Sequence, residues 1–140
     1  MKPFIASLLS RASITVQHDQ TLKQVAQILS RNNIGAVPVL DDTDKLVGII
    51  SERDVVRSIN GQVDIDTGMA AELMTTQLVT SSADISSSEL MTLMTEHKIR
   101  HIPIVKGNKL LGIVSIGDVV KRLLEKLESE TEQLRIFINS

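Results

Sequence analysis

The chain contains itself twice, and this duplication narrows what it can fold into more than any other feature. Ala6, Leu8, Thr15, Asp19, Ile34 and Pro38 recur 65 residues later as Ala71, Leu73, Thr80, Asp84, Ile99 and Pro103. After a loop one residue shorter in the second copy, the offset falls to 64: Lys45, Leu46, Gly48, Ile49, Ser51, Asp54, Val55 and Val56 return as Lys109, Leu110, Gly112, Ile113, Ser115, Asp118, Val119 and Val120. So many matches in one order, broken by a single gap at a turn, define a tandem repeat. The copies run over 3–60 and 67–124, with a tail over 125–140. The period exceeds that of the common solenoid repeats, so two copies favour a closed pseudo-symmetric pair over an open array.

Each copy carries the same local signals. Thr21 to Gln24 and Ser86 to Glu89 fit capping boxes at helix starts. Behind the first, Leu22, Val25, Ala26 and Leu29 form one apolar helical stripe, and Leu90, Leu93 and Met94 repeat it less cleanly. Two short segments follow in each copy, Ala36 to Leu40 with Leu46 to Ile50, and Ile102 to Val105 with Leu110 to Val114. They are rich in β-branched residues and separated by turn formers, so they read as hairpin-linked strands. A second helix begins near Asp54 and near Asp118. The order is helix, strand, strand, helix, twice, with 60–68 as linker.

Past Val120, the residues Leu123, Leu124, Leu127, Thr131 and Leu134 continue at near-heptad spacing among Lys and Glu. This predicts an exposed amphipathic helix from Asp118 to about Ile138. Such a helix wants a partner surface.

Composition removes several function classes. With 42% apolar and 23% charged residues among 140, the chain can bury a core. Aromatic residues are 1%, so stacking platforms for single-stranded nucleic acid are nearly absent. A net charge of −2 gives no basic face for a duplex, and a nucleic-acid partner is not expected. Without cysteine there is neither a disulfide framework nor a thiolate nucleophile. The run Phe4 to Leu9 is too short for a secretion signal, and no stretch is long enough to span a membrane. The expectation is a soluble cytoplasmic protein that does not engage membranes.

The motif with most chemical content is Gly48-Ile49-Ile50-Ser51-Glu52-Arg53-Asp54, repeated as Gly112-Ile113-Val114-Ser115-Ile116-Gly117-Asp118. A strand ends, a hydroxyl appears, and a carboxylate follows three residues later at a helix start. Two readings stand. Ser51 and Ser115 are N-caps, with Asp54 and Asp118 favoured there by the helix dipole; or the free N–H groups attract phosphate while the carboxylate accepts ribose hydroxyls. Other constellations fail. His97 and His101 sit four apart, but no Glu follows His97 and Pro103 ends the helix before His101, so no metal site is expected. Ile113 stands where a nucleophile elbow needs glycine, which leaves a small hydrolase as a weak rival. There is no P-loop and no Gly-x-Gly-x-x-Gly. Met74, Met91 and Met94 read as fillers of core gaps.

This repeated motif, the aliphatic-Pro-aliphatic strand before it and the roughly 60-residue tandem period resemble a cystathionine-beta-synthase-type (CBS) domain pair with no fused effector domain. The resemblance covers about 120 residues. It implies an α+β fold of two βαββα-like units packed through their sheets about a pseudo-twofold axis, followed here by the amphipathic helix. It further implies two clefts that bind adenosine-containing ligands such as AMP, ADP, ATP, NAD or S-adenosylmethionine, and pairing into homodimers. No catalytic activity and no obligatory cofactor are implied.

Carried over by that resemblance, Asp54 and Asp118 bind ribose hydroxyls, with Ser51 and Ser115 near ribose or phosphate. Ile34, Gly35, Ala36 and Pro38, and Arg100, His101 and Pro103, line the adenine slots. Ile14, Thr15 and Val16, and Val79 and Thr80, close the far sides. Each copy also has its own positive charge: Arg53 beside the first Asp, Arg100 and His101 on the second strand. Both clefts are then expected to hold a nucleotide, with copy two the better site. The implied function is a non-catalytic adenine-nucleotide sensor with a protein partner in trans. The alternative is a structural adaptor whose clefts are vestigial and whose terminal helix drives assembly.

Overall fold

The computed structural model describes residues 1–11 and 13–140. In chain order the elements are α1 (Pro3–Leu9), β1 (Val16–Gln17), α2 (Leu22–Asn32), β2 (Ala36–Leu40), β3 (Leu46–Ser51), α3 (Glu52–Asn60), α4 (Ala70–Leu73), α5 (Ser87–His97), β4 (His101–Lys106), β5 (Lys109–Ser115) and α6 (Ile116–Asn139).

The predicted caps start their helices. Thr21 accepts from the Gln24 N–H and the Gln24 side chain accepts from the Thr21 N–H, a complete box. Ser86 also accepts from the Glu89 N–H, but its hydroxyl takes the Glu89 carboxylate for itself, so only half of that box forms. The linker has work of its own. Gly68 and Ile65 offer carbonyls to the N–H groups of Leu22 and Lys23, two donors that the first turn of α2 leaves free.

In the first sheet, β2 lies between β1, parallel, and β3, antiparallel; in the second, β4 pairs antiparallel with β5. Where the first copy has β1, the second has a single parallel bridge from Ser81 to Ile104. Both sheets tolerate a proline because of register. Pro38 faces Ile49, whose N–H and C=O turn outward to Thr75, so the N–H that Pro38 lacks belongs to no rung shared with β3.

The apolar residues form two cores, and each draws on both copies. Ile5 of α1 is buried with Ile85, Leu90, Met94, Ile102, Ile104, Val114 and Val119 of the second copy. Ala70 of α4, reciprocally, is buried with Val16, Leu22, Val25, Leu29, Val37, Val39 and Ile50 of the first. The two copies thus exchange their N-terminal helices. The contact points repeat as well: Leu9 lies over Gly112 and Met74 over Gly48, where an added Cβ would come within 2.5 Å of a side-chain atom. Met74 fills a gap as expected, and Met94 is buried. No helix among the described residues is long and apolar enough to cross a membrane.

Candidate functional site

The exchange of helices brings each repeated motif against the other copy. Strand β3 ends at Ser51, which caps α3: its hydroxyl accepts the Asp54 N–H at 3.2 Å and donates to Asp54 Oδ2 at 2.9 Å, and its own N–H reaches the same oxygen at 2.8 Å. Ser115 and Asp118 reproduce this at 3.2, 3.0 and 2.9 Å. The capping reading is therefore realised in both copies. It does not consume the carboxylates, since one oxygen of each Asp is left over by the cap. A further pseudo-symmetric bond ties each helix start to the preceding strand's entrance, from the Glu52 N–H to the Gly35 carbonyl and from the Ile116 N–H to the Arg100 carbonyl.

Two clefts open beside these caps. The first, of about 360 Å³, is bounded by Ser115 and Asp118 of the second motif, by Ile14, Ile34, Gly35, Ala36 and Pro38 of the first copy, and by Arg11 and His101. The second, of about 570 Å³, is bounded by Ser51, Arg53 and Asp54 of the first motif and by Val79, Lys98, Arg100 and His101 of the second copy, with Gly35 and Ala36 on the shared wall. Both volumes lie in the range of small-molecule sites.

This corrects the expectation that each copy furnishes its own cleft. Arg53 and Arg100, assigned to separate clefts, face the same one, because the strand entrances at Gly35 and His101 meet and set each motif beside the other copy's strand. Copy two is consequently not a better site built from Asp118, Arg100 and His101: Arg100 accompanies Asp54, and Asp118 has Arg11. Thr15, Val16, Thr80 and Pro103 line neither cleft. Val16 and Pro103 are buried in the sheets instead.

Residues missed in the sequence include Arg11, Asn33 and Lys98. The last two form a pair at the 65-residue offset, both ending a helix in the left-handed conformation, with φ of 52° and 54°. The C-cap therefore places an amide at the lip of one cleft and an ammonium at the other. Asn at the end of an apolar helical stripe was a legible signal; Arg11 had none, since its role depends on where α1 goes.

Arg11 holds the Asp118 carboxylate at two points, Nη1 to Oδ1 and Nη2 to Oδ2, each 3.2 Å. Burial alone would raise the Asp118 pKa, but bonds from the Ser115 N–H, Arg11 and the Ser115 hydroxyl outweigh it and hold the carboxyl below its ordinary value. His101, on the wall between the clefts, is shifted down mainly by burial; Arg100 adds to that, while Asp118 and Glu52 oppose it. His97 and His101 are not brought together into a metal site. Among the described residues, His18, Asp19 and Asp42 alone form a group close enough to share an ion; it is largely exposed and distant in sequence from either motif.

A duplicated strand–cap–helix unit with exchanged N-terminal helices and a cleft beside each cap is the architecture of a tandem domain pair. The CBS-domain family model matches residues 5–61 and 70–125, and the chain belongs to that family. It is 32% identical over 119 residues to Hypoxic response protein 1 of Mycobacterium tuberculosis, covering 84% of this chain and 83% of that protein. A protein with CBS domains from Burkholderia ambifaria superposes with a TM-score of 0.78 at 32% identity, over 86% of this chain and 93% of the other. The CBS domain pair of protein MJ0100, solved with 5'-methylthioadenosine and S-adenosyl-L-methionine, gives a TM-score of 0.77 at 26% identity, over 87% and 96%. CBS pairs are regulatory modules, and that neighbour holds adenosine-containing ligands.

Proposed function

We propose that this chain is a non-catalytic sensor that binds adenine nucleotides, AMP, ADP, ATP or NAD, in both clefts. It works as a cytoplasmic homodimer whose ligand state is read by a protein partner in trans. The observation that carries this reading is the pair of capped carboxylates, Asp54 and Asp118, each at the mouth of a cleft of nucleoside-compatible size. Asp54, held by its own helix cap with Oδ1 taking no hydrogen bond among the described residues, accepts ribose hydroxyls without reorganisation, whereas Asp118 does so by exchanging its Arg11 partner. Arg53, Lys98 and Arg100 make no ion pair among the described residues, which suits the second cleft to phosphates. Ligand binding shifts a conformational or assembly equilibrium by its differential affinity for the two states.

Thermal unfolding against adenine and guanine nucleotides, NAD and S-adenosylmethionine tests the reading. A ligand at about 100 times its Kd adds roughly 2.7 kcal/mol, a rise of several degrees for a chain near this size. The rise is expected for adenosine compounds and is lost in the Asp54→Ala, Asp118→Ala double variant. A protein stripped of bound nucleotide that responds to none of them is not a sensor of this kind.

A second reading is favoured by α6. Its residues 126–139 lie beyond the family match, and Val120, Leu124, Leu127, Leu134 and Ile138 are exposed at alternating spacings of four and three, with Thr131 filling the gap. That is the seam of a coiled coil with a second copy. In a parallel pairing Glu130 would flank the partner's Arg135, opposite charges at the two seam-bordering positions. Deleting residues 125–140 separates the readings: an adaptor loses its assembly, while a sensor keeps its ligand.

A further inference from the structure

Both clefts present the same carboxylate on the same cap, yet one carboxylate is already engaged. Arg11 leaves the end of α1 and pairs two-pronged with Asp118, at 3.2 Å on each oxygen. The residue 65 positions on is Thr76, short and uncharged, and Asp54 Oδ1 takes no hydrogen bond among the described residues. The supply of cations differs in the same direction. Beside the half-buried His101, Arg11 is the basic residue lining the first cleft, whereas Arg53, Lys98 and Arg100 line the second.

We propose that Arg11 is the specificity-determining residue of the first cleft, admitting an adenosine ligand where that ligand carries a phosphate to take the guanidinium from Asp118. The inference rests on reading the clefts as adenosine sites. A bare nucleoside brings two hydroxyls to Asp118 and nothing to Arg11, whose fork must give up a charged partner of matching geometry for water. A nucleoside monophosphate replaces that partner with another anion, whose oxygens accept both arms of the guanidinium. In the second cleft no such exchange occurs, because the cations there stand free of Asp54. The two clefts of one chain thus differ in what they demand: the first requires an anion on the ligand, and the second merely rewards it.

Calorimetric titration with adenosine and with AMP tests this in the Asp54→Asn protein, whose second cleft is silenced, with and without Arg11→Ala. Arg11→Gln, which keeps most of the stem, serves as a second variant. With Arg11 present, AMP is expected to bind about tenfold or more tighter than adenosine, the scale of one charge-assisted contact. Removing Arg11 tightens adenosine and weakens AMP, bringing the two close together. Binding of both ligands with a ratio that neither variant changes overturns the role of Arg11 and leaves the cleft a nucleoside site. Failure of both ligands to bind, with or without Arg11, overturns the first cleft as a nucleoside site and the inference with it.

Discussion

The two clefts share a pseudo-symmetric frame and differ in volume and, above all, in charge. Each has a Ser–Asp cap, a left-handed helix end at its lip and a wall formed by the other copy. In the second, Arg53, Lys98 and Arg100 surround a carboxylate with a free oxygen; in the first, Arg11 and Asp118 neutralise each other and Asn33 replaces the ammonium. The scaffold, being set by backbone capping and helix exchange, constrains both copies alike. The cationic side chains that line the clefts, Arg11, Arg53, Lys98 and Arg100, belong to neither core, so charge there can diverge without disturbing the packing.

The largest expected effect breaks the symmetry of the scaffold itself. An added methyl at Gly48 meets Met74 at Sδ, Cγ and Cβ, at 2.5, 2.7 and 3.0 Å, so the α4 backbone must move. At Gly112 the methyl meets the Leu9 Cδ2 tip at 2.5 Å and little else, and a rotamer change relieves it. Gly48→Ala is expected to cost about 2 to 3 kcal/mol and Gly112→Ala about 1 kcal/mol or less, from the scale of overpacking. Denaturant melts of the two proteins decide the matter. Equal losses would mean that α1 and α4 are held with the same rigidity.

How far the sequence foretold this divides along the same line. The caps at Thr21, Ser51 and Ser115, the strands around Pro38 and Pro103 and the long α6 were legible because each is a local signal. Helices α1 and α4 were not, being seven and four residues long with few turns to show a period. Missing α1 cost part of the first cleft, since Leu8, Leu9 and Arg11 line it. Internal homology shows that two units exist. It cannot show whether each packs on itself or on its twin, because the same apolar pattern satisfies both arrangements. Arg11 was invisible for that reason, whereas Asp54 and Asp118 stood out whatever the crossing.

The next effect is smaller and opposite in sign. Lys98 holds a left-handed φ of 54° that costs a residue with a Cβ about 1 kcal/mol, while Asn33 at φ 52° is of the type that tolerates it. Lys98→Gly is expected to stabilise the protein by about 1 kcal/mol, and Asn33→Gly by a few tenths. Lys98→Gly should also weaken AMP at the second cleft, read in the Asp118→Asn background. A gain in stability with no loss of affinity would remove Lys98 from the phosphate's surroundings.

Between the Arg11 and Asp118 side chains, a double-mutant cycle should give a coupling of about 0.5 to 1 kcal/mol, fading in high salt, since Arg11 is more than half exposed. The corresponding cycle for Arg53 and Asp54 should give nothing measurable, because those two make no ion pair. A sizeable second value would erase the contrast on which the roles of the two clefts are based.

The wall shared by the clefts gives the smallest effect. His101 has a folded pKa below its ordinary 6.5, so the native state holds the ring neutral where the unfolded chain would bind a proton. Stability is therefore complete above about pH 6.5 and falls as the pH drops below it, levelling once the folded ring also protonates. Asp118 works in a separate window: its folded pKa lies below 3.8, so its contribution is present above that value and is lost as the pH falls through the folded pKa. Melts of wild type and His101→Gln between pH 5 and 8 isolate the first effect, and the variant is expected to lose the decline toward pH 5. A phosphate bound beside His101 in either cleft raises the ring's pKa, so below about pH 6.5 the heat of AMP binding should depend on the ionisation enthalpy of the buffer differently from that of His101→Gln, in which the phosphate's own ionisation is what remains. The Asp118→Asn protein, which keeps the second cleft, and the Asp54→Asn protein, which keeps the first, should both show this dependence if the ring senses the two sites. If one alone shows it, His101 reports that cleft and the wall does not couple them.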